Sequence, residues 1–478
     1  MAYHDVIKSE NYIAGKWVAA GSGRSVIADK YSGAELASLP FANPAQMDAA
    51  IDAARGAADE FGRWSAAKRS HGLRRVHALL EQRRSDFVDL IVKEAGKPVG
   101  YARNEIDRCL TTLATAAGEA LRFCGEAVAL DFDAGEGRTA FTKRFPVGPV
   151  ACITPFNFPL NLVLHKVAPA LAAGCPVVVK PAPQAPLSTL ALAALIDESG
   201  YPAGVFNALV SDIDVAEQLV RDERIALLSF TGSAKVGWHL KSICGRKKVV
   251  LELGGNAAVI VDESADLDTA ARVITRGAYL YAGQVCISTQ RIFAVDRVYD
   301  PLAERLQKEI KAVRVGDPND PEVIVGPMID SGHLQRVAQW VDEAKAGGAT
   351  VLAGGSIRDE AHNLYDATLL TGTKPDMKVN REEVFGPVAV LERVRSFEEG
   401  IERCNDSDYG LQAGVFTNDF EHVKMAHDRI VVGGVMINNV PGFRVDSMPY
   451  GGVKGSGLGR EGVRYAMEDM TEPRLLVY

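Results

Sequence analysis

"GPVACITPFNFPLNLVLHKVAPALAAGCPVVVK", residues 148–180, decides how the fold of this 478-residue chain is read. "GPVACIT" is a short apolar run and "PFNFPL" a proline-bounded loop. "NLVLHKVAPALAAG" is an apolar segment of helix length closed by glycine, and "PVVVK" a second β-type run. Two short strands flanking a helix of ten or more residues form a βαβ unit with parallel strands. The alternation continues outward through helical "LSTLALAALIDESG" (187–200), "VFNALV" (205–210), helical "IDVAEQLVRD" (213–222) and "IALLSF" (225–230). An open α/β sheet is therefore predicted. Its ligands belong at the carboxyl ends of the strands, beside helix N-termini. Those ends carry Asn157, Lys180 and the turn "TGSAKVG" (231–237).

On the N-terminal side, residues 44–124 repeat apolar positions every three to four residues, as in "PAQMDAAIDAARGAADEF" and "NEIDRCLTTLATAAGEALRF", a helical pattern. Residues 262–440 return to mixed α/β character, with strand-like "QRIFAV", "VAVLERV" and "GLQAGVFT", and read as a second α/β domain. The chain then runs through the glycine-rich "PYGGVKGSGLGREG" (449–462) to a helix and a strand-like tail. "RTAFTKRFPV" (138–147) is an extended excursion. It and the tail "PRLLVY" (473–478) suit pairing at sheet margins with another subunit.

Composition narrows the partners. With 53 basic and 61 acidic residues the net charge is −8, and no basic block exists, so neither nucleic acid nor an anionic membrane is expected. The start "MAYHDVIKSENYIAG" has no signal-peptide pattern, and "VAPALAAGCPVVV" is too short and interrupted to span a bilayer. Seven cysteines (109, 124, 152, 175, 244, 286, 404) are scattered without C-x-x-C spacing. Neither a disulfide framework nor a metal site is expected, and a reducing cytoplasm fits.

One cysteine stands apart: "YAGQVCIST" (281–289) sets Cys286 between a glycine turn and small polar residues. Around it the chain offers "TPFNFPL" (154–160), "VVVKPAP" (177–183), "SFTGSAKVG" (229–237), "LELGGNAAVIV" (251–261) and "REEVFGPV" (381–388). In this order and at these separations the set resembles the aldehyde dehydrogenase superfamily, from "NYIAGKW" (11–17) to "GREG" (459–462) and the tail. The resemblance implies a cofactor-binding domain (1–125 and 147–255), a catalytic domain (256–440) and small β oligomerisation segments (126–146 and 461–478). A homodimer or homotetramer follows from those segments.

It also implies roles. Cys286 is the matching nucleophile; a thiolate adds to an aldehyde and, after oxidation, leaves a thioester that water can attack. The Asn157 amide and the Cys286 backbone N–H match the donors to the adduct's oxyanion. Glu252 matches the general base, for the thiol or for the hydrolytic water, and a charge inside the apolar "KVVLELGG" argues against a bland surface role. Glu461 matches a proton-relaying glutamate, although an acid at a helix N-terminus explains it nearly as well. Relatives that acylate coenzyme A lack the glutamate at Glu252, so water is the expected acceptor; the acylating enzyme and a non-catalytic relative are the alternatives.

For the cofactor, the resemblance points to the loop Thr154, Pro155 and Phe156, to Lys180 at the adenosine ribose and to Gly232 and Ser233 at the pyrophosphate. Glu383 matches the nicotinamide-ribose ligand, with Phe385 beside the ring. Where NAD-preferring relatives often carry glutamate, this chain has Pro183, which neither bonds the ribose hydroxyls nor repels a 2′-phosphate. NAD and NADP both remain open. The substrate is expected to be a short aliphatic aldehyde, acidic or hydroxylated, of the semialdehyde or lactaldehyde type. Arg108 and Arg444 are candidates for a distal anion, since arginine binds carboxylate or phosphate through two parallel bonds. Arg108 lies opposite the seam Ile106–Leu110–Leu113–Ala117, which makes solvation its default. His165 sits in an apolar helix with no orienting acid in sight, so packing is its expected role.

Overall fold

A computed structural model describes residues 8–19 and 21–478. Strands Val150–Ile153 and Val177–Lys180 are parallel neighbours, joined across helix Asn161–Ala173. Every residue of that helix is buried, because helices Val99–Arg122 and Val463–Asp469 cover it from outside. A helix enclosed in this way has no reason to be amphipathic, which is why its sequence is apolar on all sides apart from Asn161, His165 and Lys166.

Five parallel strands form the centre of the first sheet, in the order Phe206–Ala208, Val177–Lys180, Val150–Ile153, Leu227–Thr231, Lys248–Glu252. The hairpin Asn11–Ile13/Lys16–Val18 extends one side and Gly457–Leu458 the other, both antiparallel. Chain order reverses between Val150–Ile153 and Leu227–Thr231, the switch point where α/β sheets open a crevice for ligands. Ile153 is in register with both Lys180 and Phe230, so three successive loops leave the sheet side by side.

Residues 253–257 carry the chain from the carboxyl edge of this sheet to the amino edge of a second one. There Ala258–Val261 lies between Arg291–Val295 and Gln412–Phe416, all parallel. Val388–Val394, Thr368–Thr371 and antiparallel Thr350–Ala353 extend one side, and Gly434–Ile437 the other. The two edges face each other across this crossing.

A third, three-stranded sheet joins Ala127–Val128, Ala140–Pro146 and Thr471–Val477. The tail, expected to seek a strand in a neighbouring subunit, pairs along all its length with Ala140–Pro146 of its own chain, and its other edge stays open. Of residues 461–478 only Thr471–Val477 joins that sheet; Val463, Ala466 and Met467 belong to the core around Asn161–Ala173. The preceding glycine-rich run is a strap between the two large sheets. Val453–Lys454 pairs with Tyr409–Gly410, and Gly457–Leu458 with Leu251–Glu252. Among the described residues no helix is long and apolar enough to cross a membrane.

Candidate active site

Cys286 owes its place to an unusual turn. After helix Leu267–Tyr279, three successive residues are left-handed: Tyr281 (φ 50°), Ala282 (φ 54°) and Gly283 (φ 66°). For the two that carry side chains this costs on the order of 1–3 kcal/mol each, so packing must hold them there. The buried Tyr281 hydroxyl donates to the Ala95 carbonyl (2.7 Å). Gln284 accepts from the Ile329 N–H (2.9 Å) and donates to the Pro327 carbonyl (3.2 Å).

The crossing segment passes directly beneath. A side chain on Gly255 would strike the Cys286 carbonyl oxygen, and one on Gly254 the Glu383 carboxylate. The Gly-Gly pair is therefore a requirement of close approach, and the Gly255 N–H donates to Glu383 (2.9 Å).

The Cys286 thiol opens on a cavity of about 170 Å³ lined by Asn157, Phe158, Val285, Ile287, Arg108 and Arg444 among others. None of the other six cysteines lines it. Sγ lies 3.2 Å from the Tyr450 hydroxyl. Burial pushes the thiol up to about 12, and the Tyr450 contact works the other way. The Asn157 amide donates to the Gln284 carbonyl (2.9 Å). An amide nitrogen has two hydrogens, so one remains for an oxygen in the cavity.

Glu252 is buried at the end of its strand, and neither carboxylate oxygen has a hydrogen-bond partner. It makes no hydrogen bond to Cys286. Burial, then the charge of Glu461, drives its carboxyl well above the ordinary range. Glu461 is equally buried, yet Lys166 (2.8 Å), His165 and Arg444 (3.1 Å) outweigh burial and hold it well below that range. Two neighbouring carboxyls pushed in opposite directions leave one ready to carry a proton while the other stays ionised.

His165 turns out to have acids on both sides. Nδ1 lies 3.3 Å from a Glu461 oxygen and 2.9 Å from Arg444 Nη2, and Nε2 lies 2.8 Å from an Asp446 oxygen. Arg108 reaches the cavity rather than solvent and is likewise held by Asp446 (2.6 Å). Burial would raise Asp446, but the bonds from His165 and Arg108 hold it well below the usual range. Lys97, also at the cavity, pairs with Glu105. Among the described residues, Arg276 at the rim alone lines this cavity as a cation without a carboxylate partner.

The predicted cofactor residues gather at the switch point. Thr154 and Gly232 follow adjacent strands, and Ser233 caps helix Ala234–Ile243 from an exposed position. Lys180 ends the next strand; burial brings it down to about 8, with Asp212 opposing. The Phe156 and Phe385 rings meet edge to face at 5.9 Å, joining the 154–156 loop to the 383–385 turn. Phe385 is itself left-handed (φ 47°). Burial pushes Glu383 up to about 7, eased by the Gly255 N–H and Arg336. Pro183 is half-buried just beyond Lys180. The buried hydroxyls of Thr154 and Thr231 have no protein partner. Free helix-terminal donors, a basic strand end and unpartnered hydroxyls at a switch point fit a dinucleotide.

Sequence reasoning missed Tyr450, Asp446, Lys166 and Gln284. All four act across long separations, 164 residues in the case of Tyr450 and Cys286. Only the glycines flanking Tyr450 and Gln284 hinted at close packing.

The family model described as "Aldehyde dehydrogenase family" matches residues 17–476. The chain is 42% identical over 468 residues to the 3-sulfolactaldehyde dehydrogenase of Priestia megaterium, covering 98% of this chain and 97% of that protein. It is 36% identical over 473 residues to the succinate-semialdehyde dehydrogenase [NADP(+)] GabD of Escherichia coli, covering 98% and 97%. Aldehyde dehydrogenase 21 from Physcomitrella patens, solved in complex with the reaction product succinate, superposes with a TM-score of 0.95 at 39% identity, covering 99% and 98%.

Proposed function

The chain belongs to the aldehyde dehydrogenase family, and from that premise we propose that it oxidises a short, anionic or hydroxylated aldehyde to the free acid with NAD(P)+, through Cys286. The observation that carries this reading is the Cys286 thiol at the floor of a small cavity, with Asn157 beside it and Arg108 and Arg444 in its wall. Cys286 adds to the carbonyl carbon; the oxygen of the thiohemiacetal takes the free Asn157 N–H and the Cys286 backbone N–H. Bound NAD(P)+ supplies the two-electron acceptor that converts this adduct to a thioester. Glu252, once ionised, takes a proton from the water that attacks the thioester, and Glu461 sets how readily Glu252 ionises. Thr154, Pro155, Phe156, Gly232, Ser233 and Lys180 would hold the phosphates and adenosine ribose, and Glu383 and Phe385 the nicotinamide end.

The named relatives act on sulfolactaldehyde and succinate semialdehyde, both small acidic aldehydes, which supports the same class here. The open edge of Thr471–Val477, with Leu475, Leu476 and Tyr478 exposed, suits assembly into a homodimer or homotetramer, and the absence of any long apolar helix from the described residues suits a cytoplasmic enzyme. The test is cofactor reduction with 3-sulfolactaldehyde, succinate semialdehyde, lactaldehyde and an uncharged aldehyde of equal length, using NAD+ and NADP+, with and without coenzyme A. Turnover independent of coenzyme A, and highest kcat/KM for the acidic or hydroxylated aldehydes, is expected. Strict dependence on coenzyme A would overturn the hydrolytic mechanism, and preference for the uncharged aldehyde the substrate class.

A further inference from the structure

We propose that the Tyr450 hydroxyl is a catalytic group that donates a hydrogen bond to the Cys286 thiolate and so sets the reactivity of the nucleophile. The inference rests on aldehyde oxidation through Cys286 and adds to it a partner for the sulfur. The hydroxyl is 3.2 Å from Sγ, and among the described residues no other side chain is hydrogen-bonded to that atom. Glu252, the expected partner, leaves both its oxygens unused. Tyr450 is also rigidly held. Its backbone N–H donates to the Glu461 carbonyl (3.0 Å), its ring is buried, and the Arg444 guanidinium lies 3.6 Å over the ring centroid.

That cation is in turn fixed by Glu461 and His165. A cation on the face of a phenol draws electron density from the ring and makes the O–H a stronger donor. Burial holds the Tyr450 proton far more firmly than in water, so the group stays a donor throughout neutral pH. In the resting thiol either atom can donate. When the S–H bond breaks and its proton leaves to solvent, only Tyr450 can, and a hydrogen bond to a charged atom is stronger than one between neutral groups. The contact therefore favours the thiolate, and Tyr450 keeps its own proton.

The experiment is alkylation by iodoacetamide between pH 6 and 10, resolved by peptide mass spectrometry so that Cys286 is read apart from the exposed Cys124. In Tyr450→Phe, which keeps the ring and its stack on Arg444, alkylation of Cys286 should slow by roughly tenfold or more at each pH. Raising the pH should restore part of the lost aldehyde turnover. Replacing Tyr450 by 3-fluorotyrosine, whose more acidic phenol is a better donor, should shift the alkylation profile the opposite way; this variant serves even where Tyr450→Phe fails to fold. Profiles that coincide in native and substituted proteins overturn the inference. A native protein that alkylates as described yet oxidises no aldehyde would instead overturn the reading of its function.

Discussion

The carboxyl edge of the first sheet and the amino edge of the second are built differently. On the first, functional groups follow from regular elements: strands end in register, loops leave together, and Ser233 starts a helix. On the second, Cys286 stands on a left-handed turn pinned by residues from Ala95, Ile324, Pro327 and Ile329. Its surroundings are ion pairs between segments some 280 to 340 residues apart, such as Arg108–Asp446 and Lys166–Glu461. The first edge is a generic receptor that a repeating unit makes by itself. The second is particular to this chain and exists only when distant segments converge.

The widest separation of the two edges should come from Cys286→Ala. Turnover should fall on the order of 10⁴-fold or more, while the dissociation constant of NAD(P)+, measured by fluorescence titration, changes little. Comparable loss of cofactor binding would show that the edges are not independent. Glu252→Gln should be next, lowering steady turnover by about 10²–10⁴-fold while sparing more of the first-turnover burst. Equal loss in both phases of a stopped-flow trace would move Glu252 from deacylation to thiol activation.

What was legible beforehand divides along the same line. The βαβ periodicity of residues 148–261 placed Asn157, Lys180 and Ser233 at strand ends, because side-chain period and loop position are local properties. Cys286 and Glu252 were singled out through motif order, and Arg108 and Arg444 as isolated arginines without their partners. That Asp446 holds Arg108, and that His165 lies between two acids, could not be read, since ion-pair partners have no sequence spacing. Strands Thr350–Ala353, Thr368–Thr371 and Gly434–Ile437 escaped notice for a related reason: each is short, opens on threonine or glycine rather than a continuous β-branched run, and draws its stability from neighbours.

A smaller effect tests the first edge alone. Pro183→Glu places a carboxylate where the adenosine ribose is expected, and should move the ratio of kcat/KM for NAD+ over NADP+ toward NAD+ by roughly thirtyfold, mainly by weakening NADP+. Alkylation of Cys286 should not change. An unmoved ratio would assign cofactor choice to other residues. The smallest shift probes the carboxyl pair. As the proposed base Glu252 must be ionised, and its carboxyl is raised, so kcat should climb with pH along a limb lying above the ordinary carboxylate range. The Glu461 charge contributes to that rise; removing it by Glu461→Gln makes Glu252 easier to ionise and should move the limb down by about one pH unit. A limb that stays in place or moves up would dissociate the two carboxyls.

The strap of residues 450–461 has a consequence in time. It supplies Tyr450 to the thiol, Gly457–Leu458 to the edge of the strand bearing Glu252, and Glu461 to the buried cations. At a synthesis rate of about 5–20 residues per second, the 164 residues between Cys286 and Tyr450 take roughly 8–33 s to emerge. For that interval a nascent chain can hold the five parallel strands of the first sheet, while the second sheet is still being completed and the centre lacks Tyr450 and Glu461. A translation product or proteolytic fragment ending before the strap would lack Tyr450, Glu461 and helix Val463–Asp469, which covers Asn161–Ala173, and would be chemically silent.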